Sequence, residues 1–93
     1  RPFVRDTTQN FTMQAGQSYQ LKLDVPAANA GYAISNITPS NVAVLSQGTT
    51  ETQTNADGSV TYLYKFTAGS TGSATVSMTM AGKTYNLFTV TVE

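Results

Sequence analysis

The stretch Val60–Ala68, VTYLYKFTA, decides the class of fold. Its apolar side chains recur at every second position, Val60, Tyr62, Tyr64 and Phe66, with mostly polar residues between them. Neighbouring side chains of a strand point to opposite faces, so this period of two predicts a strand with one buried face. Val, Tyr and Phe also favour the pleated, half-buried surface of a sheet.

The same alternation continues on both sides of this strand. In SYQLKLDV, Tyr19, Leu21 and Leu23 are expected inward, and Lys22 and Asp24 outward. No segment holds a helical period over three turns. We predict strands over Phe3–Asp6, Asn10–Met13, Ser18–Val25, Gly31–Ile37, Val42–Ser46, Val60–Ala68, Ser73–Met80 and a last strand running to Glu93. Turn signals separate them, with the segment Asn55–Gly58 as a hairpin tip.

Short strands at this spacing predict an all-β fold, a β-sandwich of seven or eight strands. The length of 93 residues fits one domain, residues 1–93. The chain shows no signal peptide and does not begin with Met, so we expect a processed protein or a piece of a longer one.

In the final hairpin, two sets of apolar residues alternate out of phase with each other. Leu87 and Phe88 are adjacent, so Tyr85 and Leu87 alternate on one face while Phe88, Val90 and Val92 alternate on the other. A two-residue loop, Ala81-Gly82, would bury Tyr85 opposite Met78, and a bulge would then be needed to bring Phe88 inward.

A three-residue loop, 80–82, requires positive φ only at Gly82, whereas the shorter loop requires it at Ala81 as well. We therefore expect the three-residue loop, which buries Phe88, Val90 and Val92. Tyr85 and Leu87 would then point outward as a patch that a ligand or a neighbouring domain could cover.

Composition excludes several classes of function. Five basic residues balance five acidic ones without a basic stripe, which leaves nucleic-acid binding without a source of affinity. No apolar run reaches membrane-spanning length. The chain has no Cys and no His, so the usual nucleophile–base pairs and the common zinc and copper sites cannot be built. We expect no enzyme activity, no catalytic residue, no metal site and no cofactor.

The remaining polar residues suggest weaker alternatives. Asp57, directly before Gly58, is read as a turn residue rather than a calcium ligand. Lys22, Asp24 and Asn86 have the residue types of an intramolecular isopeptide bond, but Lys22 alternates outward, where a buried neutral amine is required. The Thr-rich segment Thr49–Thr54 is a candidate sheet edge that could recruit a strand.

Three segments carry a resemblance to bacterial Ig-like (Big-type) domains of surface and secreted proteins. They are TPSNVAVLSQ, at Pro39, Ser40, Val42, Ala43 and Val44; FTAGSTGSATV, at Thr67, Ala68, Gly72, Ala74, Thr75 and Val76; and the closing TVTV, Thr89–Val92. The front segment DTTQNFTMQAGQSYQLKLDV is similar to the start of Ig-like modules appended to clostridial cell-wall enzymes. The resemblance implies an Ig-like sandwich of antiparallel strands, outside the cytoplasm, with neighbouring domains of its own chain as partners.

We therefore expect a non-catalytic extracellular or cell-surface module that acts as a spacer, presenting or adhesion domain. The alternative is an accessory module that binds carbohydrate or the cell wall. Such binding uses exposed aromatic faces that stack on sugar rings, and Tyr85, Leu87 and Tyr32 are the candidate ligand-binding residues. Polysaccharide or peptidoglycan would be the ligand.

Overall fold

The structure, a computed structural model, describes residues 9–29, 34–80 and 82–93, without the side chains of residues 34–36 and 80. Within these residues the chain forms eight strands and one short 3-10 turn, Ala27–Asn29. The strands are β1 Asn10–Met13, β2 Ser18–Val25, β3 Ile34–Pro39, β4 Leu45–Gln47, β5 Glu51–Thr54, β6 Val60–Ala68, β7 Gly72–Met80 and β8 Lys83–Val92.

The strands form two four-stranded sheets, counted over the described residues. One has the order β1-β8-β7-β3; in the other, β6 lies between β2 on one side and both β4 and β5 on the other. The buried side chains come from both sheets and form one cluster: Met13, Ile37, Val44, Leu45, Tyr64, Phe66, Ala68, Ala74, Val76, Met78, Tyr85, Phe88, Val90 and Val92. This confirms the predicted all-β sandwich.

One strand pair departs from the expected antiparallel arrangement. β1 runs parallel to β8, with Phe11 opposite Val90 and Met13 opposite Val92. The Gln9 carbonyl accepts a hydrogen bond from the Thr89 amide at 2.9 Å, and the Met13 carbonyl accepts one from the Glu93 amide at 3.0 Å. A parallel pair requires a long crossover, and here the whole of the intervening chain supplies it.

The predicted register of the β7–β8 hairpin is wrong. Met80 pairs with Lys83 and Met78 with Tyr85, which is the two-residue loop. The ladder then shifts, with Ser77 opposite Asn86 and Val76 opposite Phe88, so Leu87 is the extra residue of a β-bulge.

The bulge brings residues of both apolar sets of the hairpin into the core. Tyr85 and Phe88 both point into the core, with 8% and 2% of their surfaces exposed. This register places the large Tyr85 side chain opposite Met78 in the core, and Gly82 adopts a φ of 78° in the connecting turn.

Other predicted boundaries moved by a few residues. The segment predicted as a strand over Val42–Ser46 begins only at Leu45, and Val42 lies in the preceding turn with 69% of its surface exposed. β3 continues through Pro39, two residues beyond the predicted end at Ile37. The predicted strand Phe3–Asp6 and the first residues of Gly31–Ile37 lie outside the described residues.

Candidate functional site

The predicted binding patch is not an exposed pair. The Tyr85 side chain is buried, and the Lys83 ammonium lies 5.1 Å from the centre of its ring. Leu87 is half-buried and packs against the core. Tyr32 lies outside the described residues. The expectation that Tyr85 points outward is therefore wrong, because the bulge at Leu87 brings both apolar sets inward.

The other tyrosines of the described residues are also covered. Tyr19 and Tyr62 are half-buried, and Tyr64 is buried with its ring stacked on Tyr62 at a centroid distance of 6.1 Å. Burial raises the pKa of the Tyr64 hydroxyl to about 12, and the charge of an ionised Tyr62 adds to that effect. Among the tyrosines that the structure describes, none is fully exposed, whereas a ring that stacks on a sugar needs an open face.

The outer face of the β1-β8-β7-β3 sheet carries an uncharged hydroxyl array. Its central members pair across strands: the Thr75 and Thr89 hydroxyl oxygens lie 3.0 Å apart, and those of Thr79 and Thr84 lie 3.3 Å apart. Cross-strand Thr pairs of this kind stabilise a sheet. The hydrogen-bonding capacity of these four hydroxyls is therefore partly used within the sheet.

A polar network fixes the tip of the β5–β6 hairpin. The Asn55 amide nitrogen donates to the Ser59 and Thr61 hydroxyls, each at 3.0 Å, and the Thr61 hydroxyl donates to Asp24 Oδ1 at 2.8 Å. Asp57 Oδ1 accepts from the Ser59 hydroxyl at 2.6 Å and from the Ser59 amide at 2.9 Å.

These two bonds hold the pKa of the exposed Asp57 carboxyl below its usual value. Gly58 adopts a φ of 89°, as the predicted hairpin tip requires. Sequence reasoning found the tip but missed the network, because the contacts of Asp24 and Thr61 join strands that are distant in sequence.

Among the described residues, the reactive side chains considered from the sequence lie apart from one another. Across residues 9–29, 34–80 and 82–93, no group of three or more acidic, His or Cys side chains is placed to hold a metal ion. Lys22 and Asp24 lie on β2, whereas Asn86 lies on β8 in the other sheet, so the three residues considered for an isopeptide bond are not brought together. Within the described parts of the chain, no helix has the length and apolar character needed to cross a membrane.

Comparison with known proteins identifies a fold and no family. No family model matches the chain, and no curated protein matches it. The solution structure of amebosin is similar, with a TM-score of 0.66 over 90% of this chain and 88% of that chain, at 18% sequence identity. At this identity the likeness concerns the arrangement of strands alone.

Proposed function

We propose that this chain is an Ig-like module without catalytic activity that serves as a rigid spacer or presenting unit in a bacterial surface or secreted protein. The strand order supports the Ig-like assignment. In Ig domains strands B and E share one sheet and strands C, F and G the other. Here β2 pairs with β6, and β3, β7 and β8 are neighbours in the opposite sheet.

The parallel pairing of β1 with β8 is the observation that carries the mechanical role. β1 starts near Thr89 and β8 ends beside Met13, so the chain enters this pair at one end and leaves it at the other. A force applied through Gln9 and Glu93 therefore loads the β1–β8 hydrogen bonds in shear, where several must break together. Because the chain enters and leaves this strand pair at opposite ends, the arrangement also suits a unit that holds neighbouring domains apart.

The surface supports a spacing role over a binding one. Over the described residues the outer face of the β8-containing sheet is uncharged, and two pairs of its Thr hydroxyls, Thr75 with Thr89 and Thr79 with Thr84, lie within hydrogen-bond distance. The alternative, a carbohydrate- or cell-wall-binding module, relied on exposed tyrosines, and the four that the structure describes are buried or half-buried. The proposed spacer role is compatible with adhesion through another surface of the module.

Force spectroscopy with two attachment geometries tests this proposal. The chain has no cysteine, so introduced pairs define the points of attachment. Gln9→Cys with Glu93→Cys loads the parallel β1–β8 pair in shear. Thr71→Cys with Glu93→Cys is the matched control, because it pulls the two ends of the antiparallel β7–β8 hairpin that lie side by side and unzips them one bond at a time.

We expect a clearly higher unfolding force in the shear geometry. Equal unfolding forces in the two geometries would contradict the proposed mechanical role. An amide-NMR titration with soluble polysaccharides and peptidoglycan fragments separates the two functions, since saturable shifts confined to one face would replace the spacer with a binding module.

A further inference from the structure

β1 contains the sequence Asn10-Phe11-Thr12, which is an acceptor motif for N-linked glycosylation. The motif requires an asparagine, then any residue except proline, then a serine or threonine. It acts as an acceptor in exported chains, which agrees with the proposed role in a surface or secreted protein. A second copy, Asn36-Ile37-Thr38, lies on β3, where the Asn36 side chain is outside the described residues.

The geometry of β1 places both recognised side chains on the outer face of the sheet. The motif occurs easily by chance in a chain rich in Ser and Thr, so this placement matters more than its presence. Phe11 points inward, with its ring centre 5.2 Å from that of Phe88 and 4.9 Å from that of Tyr19. Neighbouring side chains of a strand lie on opposite faces, so Asn10 and Thr12 share the outer face, and both are exposed. A glycan on Asn10 therefore projects away from the core.

The side-chain contact of Asn10 uses its oxygen and not its nitrogen. Asn10 Oδ1 accepts a long hydrogen bond from the Thr91 hydroxyl, at 3.5 Å. A sugar is attached through Nδ2, and the amide oxygen of a glycosylated asparagine still accepts hydrogen bonds. The contact with Thr91 therefore does not compete with the modification.

The surface beside Asn10 is suited to lie against a sugar. The register sets Thr89 opposite Asn10 and Thr91 opposite Thr12, and Thr75 of β7 continues the first of these rows. These side chains carry hydroxyl groups, which exchange hydrogen bonds with sugar hydroxyls as they do with water. The first sugar of a glycan on Asn10 would therefore meet a polar, hydrogen-bonding surface.

We propose that Asn10 is an N-glycosylation site whose glycan lies over the outer face of the β1-β8-β7-β3 sheet. Asn10 Nδ2 bonds to C1 of the first sugar of a lipid-linked oligosaccharide diphosphate. The bond from C1 to the phosphate oxygen breaks, the lipid diphosphate leaves, and one Nδ2 proton passes to a base of the host's transferase. The chain contributes only the acceptor. This inference does not depend on the mechanical role, and it holds in any host whose export pathway supplies this donor.

Secretion of the full chain from a eukaryotic host, followed by peptide mass spectrometry, tests the site. Enzymatic removal of the glycan in heavy-oxygen water converts a glycosylated asparagine into a labelled aspartate, which identifies the position. We expect the label at Asn10. Asn41 is the internal control, because it is exposed but is followed two positions later by Ala43, and we expect it to stay unlabelled. An unlabelled Asn10 contradicts the proposal, whether or not Asn36 carries a label.

Two variants at one position test recognition of the motif. Thr12→Val keeps a β-branched side chain on β1 but removes the hydroxyl, so we expect it to abolish the label at Asn10. Thr12→Ser keeps the hydroxyl, is the matched control and is expected to retain the label. Circular dichroism of each variant confirms that it folds. A label at Asn10 that persists in Thr12→Val would contradict recognition through this motif.

The stability of the glycosylated chain tests where the glycan lies. Asn10→Gln has no acceptor at this position, and we expect it to unfold at the same urea concentration as the glycosylated wild type, because the Asn10 side chain is exposed. A glycosylated chain that unfolds at a clearly lower urea concentration would show that the outer face does not accommodate the glycan.

Discussion

Tyr64 shows how the depth of one side chain sets its chemistry. Tyr62 and Tyr64 share the inward face of β6, as the alternation predicts, yet Tyr64 is buried and Tyr62 half-buried. Burial disfavours the charged phenolate, which is why the pKa of Tyr64 rises to about 12 from an ordinary 10.0. The alternation in the sequence predicts on which face of the strand each side chain lies. It does not predict how deeply each side chain of that face is buried.

The raised pKa predicts that alkali destabilises the fold through Tyr64. The unfolded chain loses this proton near pH 10 and the folded one near pH 12, so the stabilisation is complete below pH 10 and is lost as the pH rises through 12. We expect a loss of about 1 kcal/mol in the free energy of unfolding by pH 11. Urea unfolding at pH 8 and pH 11 measures it.

The variant Tyr64→Phe has no ionisable group at this position. Its free energy of unfolding is therefore expected to lack the alkaline decrease that Tyr64 causes. Tyr62→Phe is its control, because it retains the buried Tyr64 hydroxyl and most of the alkaline loss. If the free energy of unfolding of Tyr64→Phe falls as much between pH 8 and pH 11 as that of the wild type, another group is responsible.

The sheet containing β8 has two irregularities, at neighbouring positions on the two sides of β7. On one side of β7 the extra residue is Leu87 of β8, at the Val76–Ser77 step. On the other side the ladder with β3 shifts between Ser35 and Thr38. Bulges bend a strand and increase its local twist, and both irregularities lie within two residues of the buried Met78.

Deletion of Leu87 is expected to leave the fold intact. Without it, Asn86 is followed directly by Phe88, and the regular alternation then keeps Tyr85 and Phe88 inward without a bulge. We expect a loss of about 1–2 kcal/mol, the contribution of one half-buried leucine. Chemical denaturation measures the loss, and amide hydrogen exchange shows whether β7 and β8 remain paired.

Deletion of Thr89 is the matched control, one residue beyond the bulge. With the bulge kept, this deletion turns Val90 and Val92 away from the core, and with the bulge lost it turns Phe88 away. Either arrangement is expected to cost about 3–6 kcal/mol. If the two deletions cost the same, the bulge is not what reconciles the two apolar sets.

At the scale of the molecule, an aromatic cluster joins the two sheets. The Phe88 ring from β8 lies 5.2 Å from Phe11 of β1, 5.2 Å from Tyr19 of β2 and 5.7 Å from Phe66 of β6, measured between ring centres. The last two contacts cross the interior of the sandwich, since β2 and β6 belong to the opposite sheet. Aromatic pairs at these distances add stability beyond the area they bury.

Phe88→Ala is therefore expected to cost about 3–5 kcal/mol, a large share of the 5–15 kcal/mol typical of a folded domain. Thermal and urea unfolding measure the change. Val42→Ala, at a position 69% exposed, is the control and is expected to change stability by less than about 0.5 kcal/mol. A Phe88→Ala protein as stable as the control would mean that the cluster does not hold the sheets together.

The candidate site was less predictable than the fold. Exposure of Tyr85 depended on the register of one hairpin, and turn preference at Ala81 and Gly82 pointed to the wrong register. Local turn energies are small beside the burial of a large aromatic side chain, and burial depends on partners such as Met78 that only pairing brings opposite.

The sequence by itself determined the strands β2, β6 and β7 within a residue, the Asn55–Gly58 tip and the two-layered all-β architecture. These features follow from alternation and turn chemistry, which act between residues close in the chain. Only the tertiary structure decided the parallel pairing of β1 with β8 and the bulge at Leu87. Each of these depends on which strands become neighbours, and contacts between residues far apart in sequence make that choice.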